Sequence, residues 1–189
     1  MSTLAEVAVV AHDCTRCKLA AGRRQVVFGV GRDDADLMFV GEGPGEQEDL
    51  QGEPFVGRAG KLLTQLIEGI ERTRADVYIA NVVKCRPPGN RDPEAEEIEA
   101  CAPWLDQQLQ LIRPRVVVTL GNFATKLLLD TKQGITQLRG KQFPFSRAGI
   151  EAEILPTLHP AAVLRGGGQR LAEVRSDFVR VKRMLAGAS

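Results

Sequence analysis

Four short runs along the chain are almost continuously apolar and rich in β-branched residues: 37–40, 77–83, 116–120 and 154–158. Such runs are expected of strands covered on both faces. Between them, apolar positions recur at helical spacing. Leu62, Leu63, Leu66, Ile67 and Ile70 share one face, and Ile98, Cys101, Leu105, Leu109 and Ile112 share another. Leu171, Val174, Phe178, Val181 and Leu185 form a third stripe, spaced three or four apart. Asn122 stands where it would cap a shorter helix reaching about Leu129. Strands alternating with helices predict βαβ units, here an α/β fold: three-layer α/β/α with a central, mostly parallel four-stranded sheet. In such sheets ligands sit beyond the carboxyl ends of the strands. The residues that follow each run therefore matter most.

The length of 189 residues fits one domain, 1–189, and 43% apolar residues suffice for its core. No stretch reaches the roughly 18 apolar residues of a membrane span. Residues 1–10 carry no basic n-region or signal-type cleavage pattern, so a cytoplasmic protein is expected. With no exposed heptad evident, a monomer is expected. A net charge of +1 does not announce a nucleic-acid partner. The tail from Pro160 onward carries Arg165, Arg170, Arg175, Arg180, Lys182 and Arg183, yet arginines five apart turn about 140° per step on a helix and cannot form one stripe. A solvated helix surface explains them as well as a phosphate-tracking face does.

Cysteine usage narrows the chemistry. Cys14 and Cys17 form a C-x2-C pair, and Cys85 and Cys101 lie far downstream. In a reducing compartment a disulfide framework is not expected, whereas thiolates ligate zinc or iron–sulfur clusters well. Composition and spacing do not choose between those metals. The bland alternative is two small buried hydrophobes beside a chance C-x2-C.

After the first run comes Gly41-Glu42-Gly43-Pro44-Gly45-Glu46-Gln47-Glu48-Asp49. No Lys-Ser/Thr follows, and Glu46 stands where a dinucleotide loop needs its third glycine, so this is not a phosphate loop. Its carboxylates suit a water held near an electron-poor carbon, or a solvated acidic turn.

Three further segments are distinctive: Gly52-Glu53-Pro54-Phe55-Val56-Gly57-Arg58-Ala59-Gly60, Asn81-Val82-Val83-Lys84-Cys85-Arg86-Pro87-Pro88 and His159-Pro160-Ala161-Ala162-Val163-Leu164-Arg165. With the glycine loop and the four cysteines, in this order, they resemble the family 4 uracil-DNA glycosylases, iron–sulfur enzymes of DNA repair. The resemblance runs from about Cys14 to Arg165. It implies a hydrolase that cuts the N-glycosidic bond of uracil in single- or double-stranded DNA, leaving an abasic site, with no lyase step. It also implies a 4Fe–4S cluster on Cys14, Cys17, Cys85 and Cys101, structural in role.

The resemblance distributes roles among the residues. Glu42 would position water and stabilise a cationic sugar, and His159 would donate to the leaving uracil. The base would meet Gly41, Glu42, Gly43, Glu48, Phe55, Asn81 and His159. The Asn81 amide matches the N3–H and O4 edge of uracil, Phe55 stacks, and Glu48 lies beside C5. Leu164 and Arg165 would wedge into DNA and grip phosphate, although Ala162 departs from the aromatic common in that tract. A covalently trapping relative carries an inserted basic loop with a histidine. Here Gly89-Asn90-Arg91-Asp92-Pro93 is short and has none, so turnover is expected. A non-catalytic zinc or iron–sulfur module is the rival, and it would not need Glu42, Asn81 and His159 together.

Overall fold

The computed structural model describes residues 2–187. Its elements, in chain order, are α1 (Leu4–His12), α2 (Leu19–Gly22), β1 (Val30–Gly31), β2 (Leu37–Gly41), α3 (Glu46–Gln51), α4 (Arg58–Gly69), β3 (Tyr78–Asn81), α5 (Ala95–Ile112), β4 (Val116–Leu120), α6 (Asn122–Leu128), α7 (Ile135–Leu138), β5 (Phe143–Arg147), β6 (Ile150–Thr157) and α8 (Pro160–Leu185). A 3-10 turn, Pro88–Asn90, lies between β3 and α5.

The sheet runs β1-β3-β2-β4-β6-β5. Its four inner strands are parallel, as the apolar runs predict, but two antiparallel edge strands bring the total to six rather than four. Both extra strands escape the pattern for a physical reason. β1 is only two residues long, and β5 carries Pro144 and alternates exposed with buried positions, as an edge strand does.

Alternation on the inner strands builds the layers. Met38 and Val40 of β2 pack with Val7, Trp104 and Leu105, under α1 and α5, whereas Leu37 and Phe39 pack with Leu63, Ile67 and Phe178, under α4 and α8. Phe39 and Phe178 stack with centroids 5.6 Å apart. The three-layer expectation holds. Asn122 is not the cap of α6: Gly121 is, and the Asn122 carboxamide instead accepts the N–H of Ile135 at the start of α7. The long helix α8 is broken at Gly167, whose φ is 71°, although Val163 before the break and Val174, Phe178 and Val181 after it are buried in one cluster. Among the described residues no helix is long and apolar enough to cross a membrane.

Candidate active site

The carboxyl ends of β2, β3, β4 and β6 open on one cleft of about 1710 Å³, including its solvent-open mouth. Glu42, Gly43, Glu48, Phe55, Asn81, His159 and Arg165 all line it. Residues scattered over more than 120 positions of sequence thus converge because each follows a parallel strand or the loop after it.

The floor is set by sheet register. Gly41, the last residue of β2, is paired with Asn81, the last of β3. A Cβ at Gly41 would lie 2.5 Å from Asn81 Oδ1 and 2.7 Å from Phe55 Cζ, so glycine is what lets the amide and the ring close together. Beyond the strand ends the Val82 and Val83 N–H groups still donate to the Gly41 and Glu42 carbonyls, at 2.9 and 3.1 Å, which holds the glycine turn against the next segment.

Phe55 sits on a clamped loop. Its φ is +55°, a left-handed conformation that a bulky residue adopts only when its surroundings impose it. Arg74 donates to the Pro54 and Phe55 carbonyls at 2.8 and 3.2 Å. Glu48 Oε1 accepts the N–H groups of Val56 and Gly57 at 3.1 and 3.3 Å, where α4 begins. Gly60 allows the loop to fold over α4, since a Cβ there would lie 1.8 Å from the Phe55 carbonyl. Glu48 therefore anchors the aromatic loop in addition to lining the cleft.

His159 caps α8. Its Nδ1 accepts the main-chain N–H of Ala161 at 3.1 Å, which puts the ring proton on Nε2. Burial, and then the Arg165 cation, pull its pKa down to about 4. A neutral donor results, stacked at a tilt against Phe55. Gly121, with φ of 95°, makes room for it: a Cβ would meet that of His159 at 2.9 Å.

Glu42 is partly buried at the cleft wall. Burial and the neighbouring Asp92 carboxyl push its pKa up to about 7. Asp92 lines the same cleft and is a residue that sequence reasoning missed. Its only mark in the sequence is a carboxylate between two prolines in the loop after β3. Arg91 fixes that loop through a bidentate pair with buried Glu97, at 2.9 and 2.6 Å. Leu164 is exposed and lies beside the cleft without lining it.

All four cysteines line a second, tightly closed pocket, formed with Arg23, Lys84 and Trp104. Cys101 lies on the inward stripe of α5, as its spacing predicts. Nitrogen donors point at the sulfurs: Trp104 Nε1 at 3.4 Å from Cys14, the Lys84 N–H at 3.3 Å from Cys101, and Arg23 at 3.6 Å from Cys85. Such hydrogen bonds suit ligating thiolates. Burial alone favours the neutral thiol, pushing Cys85 up to about 11. Among the described residues no three His, Cys, Asp or Glu side chains are gathered tightly enough for one metal ion. The fit to a thiolate-held group rests on the donors that face these sulfurs.

Comparison with known proteins agrees with this geometry. The family model of the uracil DNA glycosylase superfamily matches residues 28–181. The chain is 45% identical to a type-4 uracil-DNA glycosylase of Sulfurisphaera tokodaii, over 97% of this chain and 86% of that protein. It is 43% identical to one of Archaeoglobus fulgidus, over 96% of this chain and 92% of the relative. For one of Thermotoga maritima the identity is 47%, over 85% and 83%. The chain belongs to the type-4 uracil-DNA glycosylases, within the uracil DNA glycosylase superfamily.

Proposed function

We propose that this chain excises uracil from DNA by hydrolysing the N-glycosidic bond, working as a single domain. The observation that carries the reading is the shared cleft of Glu42, Phe55, Asn81 and His159. A base must leave the duplex to reach it, at a cost of a few kcal/mol. The ring of Phe55 then offers a stacking face. Asn81 Oδ1 accepts uracil N3–H while its NH2 donates to O4. Cytosine presents the reverse pattern and would leave buried groups unpaired. Backbone at Gly43, which lines the cleft, and at Gly41, which does not but pairs with Asn81 at the strand end, would border the base.

As the N1–C1′ bond breaks, its electron pair leaves with uracil and charge collects at O2. The Nε2–H of neutral His159 donates to it. Ionised Glu42 holds the water, faces the cationic C1′ and takes the proton the water loses as its oxygen bonds to carbon. Uracil departs and an abasic site remains. Arg165 would hold a flanking phosphate and Leu164 would fill the gap left by the extruded base.

Cys14, Cys17, Cys85 and Cys101 would hold a 4Fe–4S cluster, whose contribution when bound is structural, since hydrolysis transfers no electron. DNA is the partner, and the monomer stands as the expected state.

A single-uracil oligonucleotide tests the reading, with cytosine and thymine controls and alkali to reveal abasic sites. Strand scission at uracil alone is expected. Failure to cleave by protein carrying its full complement of iron and sulfide would overturn it.

A further inference from the structure

Between the cleft and the cysteine cavity lies a buried cation that the reaction does not use. Lys84 is 1% exposed. Its ammonium donates to the Asn81 carbonyl at 2.8 Å and to Gln108 Oε1 at 2.6 Å. Gln108 cannot turn away, because its NH2 is already given to the Phe28 carbonyl at 2.7 Å and the Tyr78 hydroxyl at 3.1 Å. The ring of Phe28 stands 5.8 Å from Nζ. Every one of these partners is neutral. A buried charge is tolerated when an opposite charge compensates it, and among the described residues no carboxylate forms an ion pair with Lys84.

The cysteines supply the missing charge. Lys84 itself lines their cavity, its main-chain N–H points at Cys101, and Cys85 is its chain neighbour. Four thiolates around a zinc ion or an iron–sulfur cubane carry net negative charge. We infer that Lys84 is the internal counter-charge of the four-thiolate centre and the positioning residue through which that centre fixes the base-reading end of β3. The inference rests on the four-cysteine centre proposed above, not on its being iron. It gives the centre a consequence at the reaction site: the carbonyl of Asn81 is held by a cation that the centre keeps in place.

The test uses the metal-loaded protein with Lys84→Met, which removes charge and donor, and Lys84→Gln, which keeps a donor without charge. Loss of metal to a chelator is followed by absorbance, and the reduction potential by spectroelectrochemistry. Excision of uracil is followed in single turnover. Both variants are expected to lose metal several-fold faster and to show a more negative potential, since a neighbouring cation favours the added electron. Lys84→Met should also excise about tenfold more slowly, as a misplaced reader would, and Lys84→Gln should recover part of that loss but none of the potential. Circular dichroism establishes folding, and if the Met variant does not fold, the Gln variant decides on potential and metal loss. A folded variant with wild-type potential and wild-type metal loss overturns the inference. Wild-type protein found to hold zinc would overturn the iron reading alone, because metal loss still reports the counter-charge.

Discussion

The rings of Phe55 and His159 lie 5.6 Å apart between centroids and tilt by 33°. At that spacing there is no room for a base between them. In the proposed reaction a base would lie on the open face of Phe55 and meet His159 at an edge, where the Nε2–H could reach a carbonyl oxygen. Stacking and charge stabilisation would then act from different directions on the same ring.

Replacing His159 separates two duties. His159→Ala should lose a helix cap, about 1 kcal/mol of stability, and about a hundredfold in excision rate with the donor. His159→Asn should keep the cap through its carbonyl oxygen yet excise as slowly as the alanine variant. Thermal melts and single-turnover rates on the two proteins check this. An asparagine variant at wild-type rate would show the imidazole to be a cap alone.

The carboxyl pair sets the pH response. Glu42 titrates at about 7, so below that value it is protonated and cannot orient water. Excision should rise with pH through about 7 and then level, measured from roughly pH 5 to 9 at constant ionic strength. His159, at about 4, remains neutral throughout and adds no limb. Asp92→Asn removes the like charge but leaves the burial, so the limb should move to lower pH without reaching the ordinary carboxylate range.

Gly41→Ala should fold and bind uracil poorly. The new methyl would meet the Asn81 oxygen and the Phe55 ring inside contact distance, and both must shift. About a hundredfold loss in single-turnover excision is expected, by the cost of a misplaced reactive geometry. Unchanged activity on the uracil oligonucleotide would mean that the amide and the ring can part without loss.

Buried Asp177 ties the end of β6 to α8. It accepts from Arg139 at 2.6 Å and from the Thr157 hydroxyl at 2.6 Å, two residues before His159. Asp177→Ala leaves the partly exposed Arg139 guanidinium with only the Glu173 carbonyl, and the Thr157 hydroxyl without its acceptor, and should lower stability by about 2 kcal/mol. Denaturant titration would detect it.

Much of this arrangement was legible in the chain. The inner strands read as apolar because both their faces are covered, and β4 falls where its run predicts. His159 stood out because it follows such a run, and Asn81 through the resemblance of its segment; the apolar run 77–83 reads past the true end of β3, which is Asn81. What stayed hidden was set by tertiary structure. β5 pairs with β6 through backbone hydrogen bonds that leave little mark on its side chains. The approach of Asp92 to Glu42 depends on how Arg91 and Glu97 fold a proline-flanked loop, which no local spacing records. The burial of Lys84 beside Gln108 likewise follows from the fold and not from any local spacing.

The pairing of Gly41 with Asn81 has a consequence for how the enzyme tolerates heat and mutation. In the proposed reaction the base would be read across a rung of the sheet, whereas the water, wedge and phosphate contacts would come from loops and from a helix start ahead of a glycine break. Loosening those loops is therefore expected to slow excision before it relaxes the choice of base.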